Sequence, residues 1–463
     1  MSETASAAAS PRPGLAARLG LHRPELRAWA MYDWANSGMV TVITTAVFPI
    51  FFVQVAGYGL PEAEATQRYG WATTIGLAVI AVLAPILGTL ADYVAIKKRL
   101  LATFMGIGVA AVAMMYFIHR GDLMLAAGLF ILANIGVNGS FVFYESLLPH
   151  VAREEEMDRV STSAYALGYI GGGLLLALNL AWIMKPAWFG LPSGQGLTPE
   201  QASLPTRLAF VSVAVWWLLF AIPLFRRVPE PPVAREADEA PGANPVKVAF
   251  TRLGETFADL RGYRQAFLML VAFLIYNDGI GTIIRMATVF GNELGISRGM
   301  LIATIMIVQF VGIPFAFLFG SLAGRIGAKR SIFVGLAAYV GICIFAYFIT
   351  SATQFLILGI LVGMVQGGTQ ALSRSLFASM IPRHRSGEFF GFWGVFEKFA
   401  GIFGPAIFSI VVGAAGTSRM AILVIAVFFV IGGWLLSRVD VADGQARARA
   451  EEASVVASGV APA

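Results

Sequence analysis

Runs of about 20 apolar residues, long enough to cross a bilayer core as helices rising 1.5 Å per residue, recur along the whole chain. They fall near 31–56, 68–91, 100–118, 123–148, 160–184, 206–225, 266–291, 300–323, 331–350, 354–381, 387–413 and 418–437. Apolar residues make up 57% of the 463 and charged residues only 13%, where a soluble chain carries about 25% charge to build its polar skin. Lipid is therefore the main solvent, and the expected fold is an all-α membrane protein of twelve transmembrane helices. Fifty glycines suit it, because small residues let membrane helices approach closely. The third, sixth and ninth segments are short and uniformly apolar. The first, fourth, seventh, tenth and eleventh carry polar groups.

An even number of spans puts both termini on one side, and the basic residues say which side. Of the 33 Lys and Arg, 24 fall in the loops and tails on the termini's side, 6 on the opposite side, and Arg285, Arg374 and Lys398 within spans. Positive residues accumulate on the cytoplasmic side of membrane proteins, so both termini are expected in the cytoplasm and the protein in the cell membrane. The same bias accounts for the net charge of +6 without nucleic acid as a partner. The first 30 residues hold no apolar core, so no cleavable signal peptide is expected, and both tails read as flexible. The single cysteine, Cys343, excludes an internal disulfide and a cysteine-based metal site.

Residues 88–98, GTLADYVAIKK, align without a gap to residues 320–330, GSLAGRIGAKR, at an offset of 232. Each copy sits where an apolar segment stops and a basic cluster begins. A Pro/Ala/acid-rich stretch, PEPPVAREADEAPGANP, lies at the midpoint and reads as a linker. The expected organisation is a tail (1–30), a six-helix half (31–225), a cytoplasmic linker (226–265), a second six-helix half (266–437) and a tail (438–463). Parallel repeats of this kind point to a transporter.

This arrangement resembles the major facilitator superfamily, and so do the two loops, through its signature Gly-x-Leu-x-Asp-x-x-Gly-basic-basic. Gly88, Leu90, Asp92, Lys97 and Lys98 match in the first copy, while Ala95 replaces a Gly; in the second copy Gly324 stands at the Asp position. Asp92 can pair with a cation or face a helix N-terminus, a contact that would latch one face closed in the N-terminal copy alone. More specific strings are YDWANSG (Tyr32 to Gly38), YNDGIGTI (Tyr276 to Ile283), QGGTQALSRSLFASMIP (Gln366 to Pro382) and GEFFGFWGVFEKFAGIFGP (Gly387 to Pro405). Together they resemble the vacuole-effluxer-like branch of that superfamily, named after a fungal vacuolar amino-acid effluxer linked to autophagy. The resemblance runs from about Tyr32 to Arg438 and implies twelve spans in two pseudo-symmetric halves and solute export.

An ionisable group in mid-membrane costs about 2.5–3.5 kcal/mol on insertion scales, so it faces a cavity or a partner. Asp278 lies near the middle of the seventh span, and Arg285 follows about 10 Å further along nearly the same face. They are placed to hold two ends of one ligand or to pair with other helices. Asn134, Asn138 and Glu145 form one stripe on the fourth span; Gln366, Gln370 and Arg374 form another on the tenth. Each stripe ends in a charge toward the cytoplasm, so Glu145 and Arg374 are candidates to meet as a gate. Glu397 and Lys398 are adjacent on the eleventh span and point about 100° apart, so at most one faces a central cavity squarely; Lys398, which matches the resembled string, is the better candidate. Asp33 and Asn36 begin the first span, where Asp33 can be a gating, interfacial or capping group. Asn138, Asp278, Arg285, Gln366, Gln370 and Lys398 are thus the candidates for solute contact or coupling. Asp33, Asn36, Asp92, Glu145, Arg374 and Glu397 are candidates for gating or structural pairing. The Gly171-Gly172-Gly173 run reads as helix packing or a hinge. All four histidines lie at loops or span ends, which disfavours a buried histidine relay.

A cavity lined by carboxylates and cations suits a zwitterion such as an amino acid, and equally a small organic ion. Asp278 is the first candidate for a proton-coupling carboxylate. No Gly-x-x-x-x-Gly-Lys-Ser/Thr phosphate loop occurs, so secondary transport by alternating access, without a cofactor, is the expectation. An intramembrane enzyme would need paired carboxylates for a metal or His-x-x-x-His spacing, and neither appears. A channel would show neither saturation nor counterflow.

Overall fold

In a bilayer core no water satisfies the backbone, so each crossing segment closes its own hydrogen bonds as a helix. The computed structural model describes residues 14–232, 263–399, 403–415 and 418–457, and among them there is no strand. The main helices are α1 (Pro24–Gly38), α2 (Glu62–Val94), α3 (Lys97–Met114), α4 (Leu123–Ser146), α5 (Met157–Met184) and α6 (Pro199–Arg227) in the N-terminal half. The C-terminal half holds α7 (Arg264–Glu293), α8 (Arg298–Ile326), α9 (Ala328–Tyr347), α10 (Ala352–Ala378), α11 (Ser386–Phe399), α12 (Phe403–Ala415) and α13 (Ser418–Ser437). A last helix, α14 (Val441–Ala457), follows.

Ten of these helices are long and apolar enough to span alone. The first span is composite: α1 runs into a stretch with i→i+5 hydrogen bonds, Met39–Ala46, and then bends by 40° before residues 48–56. The wide turn ends with Val47 N donating to Val42 O at 2.8 Å, and Pro49 beside it lacks an N–H; both are recognised causes of helix bending. Helices α11 and α12 stand at the eleventh place in chain order, so the described helices follow the order of the twelve expected spans. Val82, Leu219, Val430 and Trp434 stand exposed on outer faces, where lipid replaces the polar skin of a soluble protein.

The halves repeat one packing plan. Helix α1 packs on α6 as α7 does on α13, α2 on α4 as α8 does on α10, and α3 on α4 as α9 does on α10. Between the halves, α2 lies against α11 and α5 against α8. Glycines make the first of these contacts close: a Cβ at Gly88 would sit 2.1 Å from the carbonyl oxygen of Gly387. Helix α5 continues unbroken through the Gly171-Gly172-Gly173 run, with Gly171 packed against Trp34.

Both repeated loops lie on one face, called here the basic face, and each makes a helix-ending cap. Lys98 Nζ donates to the carbonyls of Phe225 (3.0 Å) and Val228 (2.5 Å) at the end of α6. Lys329 Nζ does the same for Ser437 (3.0 Å) and Val439 (2.7 Å) at the end of α13. A cation at a helix C-terminus satisfies orphan carbonyls and opposes the macrodipole.

Two expectations change. The first span begins at Pro24 rather than near 31, since Pro at the first helical turn and Glu25 beside it favour a start there. The C-terminal tail, expected to be flexible, forms α14 and docks on the basic face. Asp443 accepts from Gln265 (2.9 Å), Glu452 from the Arg383 N–H (2.7 Å) and Glu451 from the Tyr263 hydroxyl. Most of the expected linker, 233–262, lies outside the described residues.

Candidate functional site

Arg374, on α10, is 1% exposed and reaches from the C-terminal half into the N-terminal one. Its Nη1 and Nη2 each lie 3.4 Å from Asp33 Oδ2, and Nη1 lies 3.9 Å from Glu145 Oε1. Its Nε donates to Ser161 Oγ (3.0 Å) and Nη2 to the Ser161 carbonyl (3.1 Å). The rings of Tyr165, Trp29 and Tyr144 surround the guanidinium at 4.7, 5.0 and 5.7 Å, close enough for cation–π attraction. The Tyr144 hydroxyl also donates to Asp33 Oδ2 at 3.0 Å, and Trp29 Nε1 holds the Tyr144 carbonyl at 2.9 Å. Asp33 is therefore neither a cap nor an interfacial group but a buried partner of Arg374. Asn36, one turn on, is 1% exposed and its amide faces the Asp33 carboxylate.

A second contact joins the halves closer to the basic face. Asp92 Oδ1 pairs with Lys97 Nζ at 2.7 Å, both side chains almost wholly buried. The same carboxylate accepts from the backbone N–H groups of Gly387 (3.0 Å) and Glu388 (2.9 Å), the first turn of α11. A carboxylate is favoured at such a helix start by both the orphan donors and the dipole. Lys97 Nζ also donates to Ser386 Oγ (2.7 Å), and His150 Nε2 lies 3.1 Å from each of them. In the second copy of the loop Gly324 replaces the carboxylate, and Arg159 packs beside it.

The mid-membrane candidates divide. Asp278 is 1% exposed; its Oδ2 accepts from the N–H of Gly404 in the first turn of α12 at 2.7 Å, while Oδ1 is buried with no hydrogen bond among the described residues. Arg285 is exposed and folds back over Gly281, and no ion pair with Asp278 forms among the described residues. Gln370 Nε2 donates to Asn277 Oδ1 at 3.1 Å, tying α10 to α7. Gln366 is half-buried on the same helix. Asn138 and Asn134 turn their amides back onto their own helix, donating to Asn134 O (2.8 Å) and Phe130 O (2.9 Å). Glu397 is half-buried on α11 within electrostatic reach of Tyr165. Lys398 lies on α11, but its side chain falls outside the described residues.

The profile of the family described as vacuole effluxer Atg22 like matches residues 69–449. The chain belongs to this Atg22-like family. A Bacillus subtilis protein described as the uncharacterized MFS-type transporter YxiO is 38% identical over 406 residues, covering 88% of this chain and 92% of its own. Autophagy-related protein 22 of Coccidioides immitis is 24% identical over 535 residues, covering 92% and 88%. Among solved structures, the proton:xylose symporter XylE superposes with a TM-score of 0.68 at 14% identity over 90% of this chain and 95% of its own. FucP in the outward conformation gives 0.64 at 14% over 91% and 99%. Identities this low carry the fold alone. The Atg22-like chain is thus a multi-pass membrane transporter of the major facilitator type, not an enzyme.

In this Atg22-like protein the specific strings prove to be contact segments. Tyr276 and Ser373 share a hydrogen bond at 2.5 Å, Asp278 meets Gly404, and Asp33 meets Arg374. Each contact joins two strings that are far apart in the chain. Residue type and depth alone did not reveal Ser161, Tyr144 and Tyr165, which are ordinary in an apolar helix. His150 lies at a span end, and it sits in the inter-half contact because that contact is itself at the span ends.

Proposed function

We propose that this Atg22-like protein exports a small zwitterionic solute of the amino-acid class across the cell membrane by alternating access, with proton movement coupled at Asp278. The observation that carries the proposal is the buried Arg374 cluster. Its ions come from both halves, so it exists only while the basic face is closed, and opening that face must dismantle it. The charge bias supports a cytoplasmic basic face and cytoplasmic termini. The description of the family as vacuole effluxers supports export, and the mixed cations and carboxylates along the spans support a zwitterion.

Asp278 supports proton coupling through its unequal oxygens. Oδ2 is held by Gly404, whereas Oδ1 is buried without a donor among the described residues. A buried carboxylate oxygen left unpaired is costly, and a proton on Oδ1 lowers that cost by neutralising the charge. Movement of α12 or entry of water on opening gives the proton somewhere to go. Asp278→Asn in proteoliposomes should abolish uptake driven by a pH gradient while leaving counterflow of labelled solute intact. Unchanged gradient-driven uptake would remove Asp278 from the coupling.

A further inference from the structure

Around the Arg374 guanidinium, every described partner belongs to the N-terminal half. Asp33 and Trp29 stand on α1, Tyr144 and Glu145 on α4, Ser161 and Tyr165 on α5; only the cation comes from the other half. Three aromatic faces, two carboxylates and a backbone carbonyl converge on one point. That set attracts a cation and repels an anion, and an alkyl side chain would gain nothing there from the carboxylates. The amide of Asn36 is buried beside Asp33 and faces the same carboxylate.

Helix α10 carries Arg374, so parting of the halves on the basic face withdraws the guanidinium and leaves the N-terminal set in place. The Asp33 carboxylate then stands in its pocket without the guanidinium, a costly state unless another cation enters. An ammonium is the smaller and simpler occupant of the same aromatic and carboxylate environment. We propose that the N-terminal half carries a cation site, formed by Trp29, Asp33, Tyr144, Glu145, Ser161 and Tyr165, that binds the ammonium group of the transported solute, with Arg374 as its internal occupant while the basic face is closed. This deepens the transport proposal and rests on it. Solute and Arg374 compete for one site, so the solute favours the state in which Arg374 is withdrawn. Return of Arg374 expels the ammonium and closes the face in the same step.

The test uses the full chain with Arg374→Ala, which vacates the site, and Arg374→Gln as the second variant if the first does not fold. Thermal unfolding is followed with millimolar ethylammonium, ethylguanidinium or sodium chloride at constant ionic strength. Both organic cations should raise the Tm of the variant by several degrees over sodium, and Asp33→Asn in the same background should erase the gain. Stabilisation by ethylguanidinium alone would mean a seat shaped only for arginine and would overturn the proposal, as would the absence of any gain. In proteoliposomes of the unaltered protein, ethylammonium should inhibit alanine counterflow and propionate should not; the reverse order also overturns it. Absent counterflow with intact thermal rescue would remove the transport reading and leave the cation site, whereas counterflow without rescue would remove the site.

Discussion

Ala95 shows how much one residue can disclose. It ends α2 with φ of 54°, the left-handed region, and is the one non-glycine residue with positive φ among the described residues. The superfamily signature has Gly at this place, and the second copy of the loop has Gly327 in the same register with φ of 86°. A side chain in this conformation costs about 1–2 kcal/mol, partly offset by the lower unfolded-state entropy of Ala. Ala95→Gly should therefore stabilise the protein by about 0.5–1 kcal/mol, read as a raised midpoint of thermal unfolding in detergent; a lowered midpoint would contradict it. The substitution of Gly by Ala was visible in the sequence, but its conformation was not. Asp33 shows the opposite limit, because its place at the expected start of the first span fits a capping role until the helix is seen to begin at Pro24 and α10 to bring Arg374 against it.

At the scale of elements, hydropathy located the spans because burial in lipid is a local property of 20 or so residues. It did not find the wide turns in the first span or the docking of α14, which is polar and therefore looked like a tail. The docking depends on titratable contacts. Burial alone would raise the Glu451 carboxyl, but the His384 ring 3.6 Å away, the hydrogen bond from the Tyr263 hydroxyl and the charge of Arg385 outweigh it and hold it below its ordinary value. A lowered carboxyl contributes stability that is fully present above its unfolded value and is lost as pH falls through the folded one. Hydrogen exchange across 441–457 should accelerate on acidification below about pH 4.5. Glu451→Gln should exchange fast at neutral pH and lose that pH dependence. Unchanged protection in the variant would show that the apolar packing of Gly444 on Met380 suffices.

For the molecule as a whole, the Asp92 latch and the Arg374 cluster lie on different helix pairs but oppose the same motion, separation of the halves at the basic face. Asp92→Asn removes the partner of Lys97, which is 2% exposed. Breaking a buried pair in this way costs about 3–5 kcal/mol, here charged to the closed state. Labelling of a cysteine placed near Ser386 should become faster in the variant. With Arg374→Gln added, the two shifts should add in free energy, because they bias one equilibrium through separate contacts. Labelling no faster in Asp92→Asn than in the parent would leave the loop a topology signal alone.

The sequence by itself determined the solvent, the number of spans, their duplication and the register of the repeated loops. All of these follow from hydropathy and charge read over short windows, or from self-similarity at a fixed offset. It also singled out Arg374, Glu145, Asp92 and Asp278 as charges that need partners. Only the tertiary structure decided which partners they have. Asp33 and Arg374 are 341 residues apart in the chain and Asp92 and Gly387 are 295 apart. The packing of one half on the other sets such pairings. Helix periodicity says which face a residue occupies, and it is silent on which helix that face will meet.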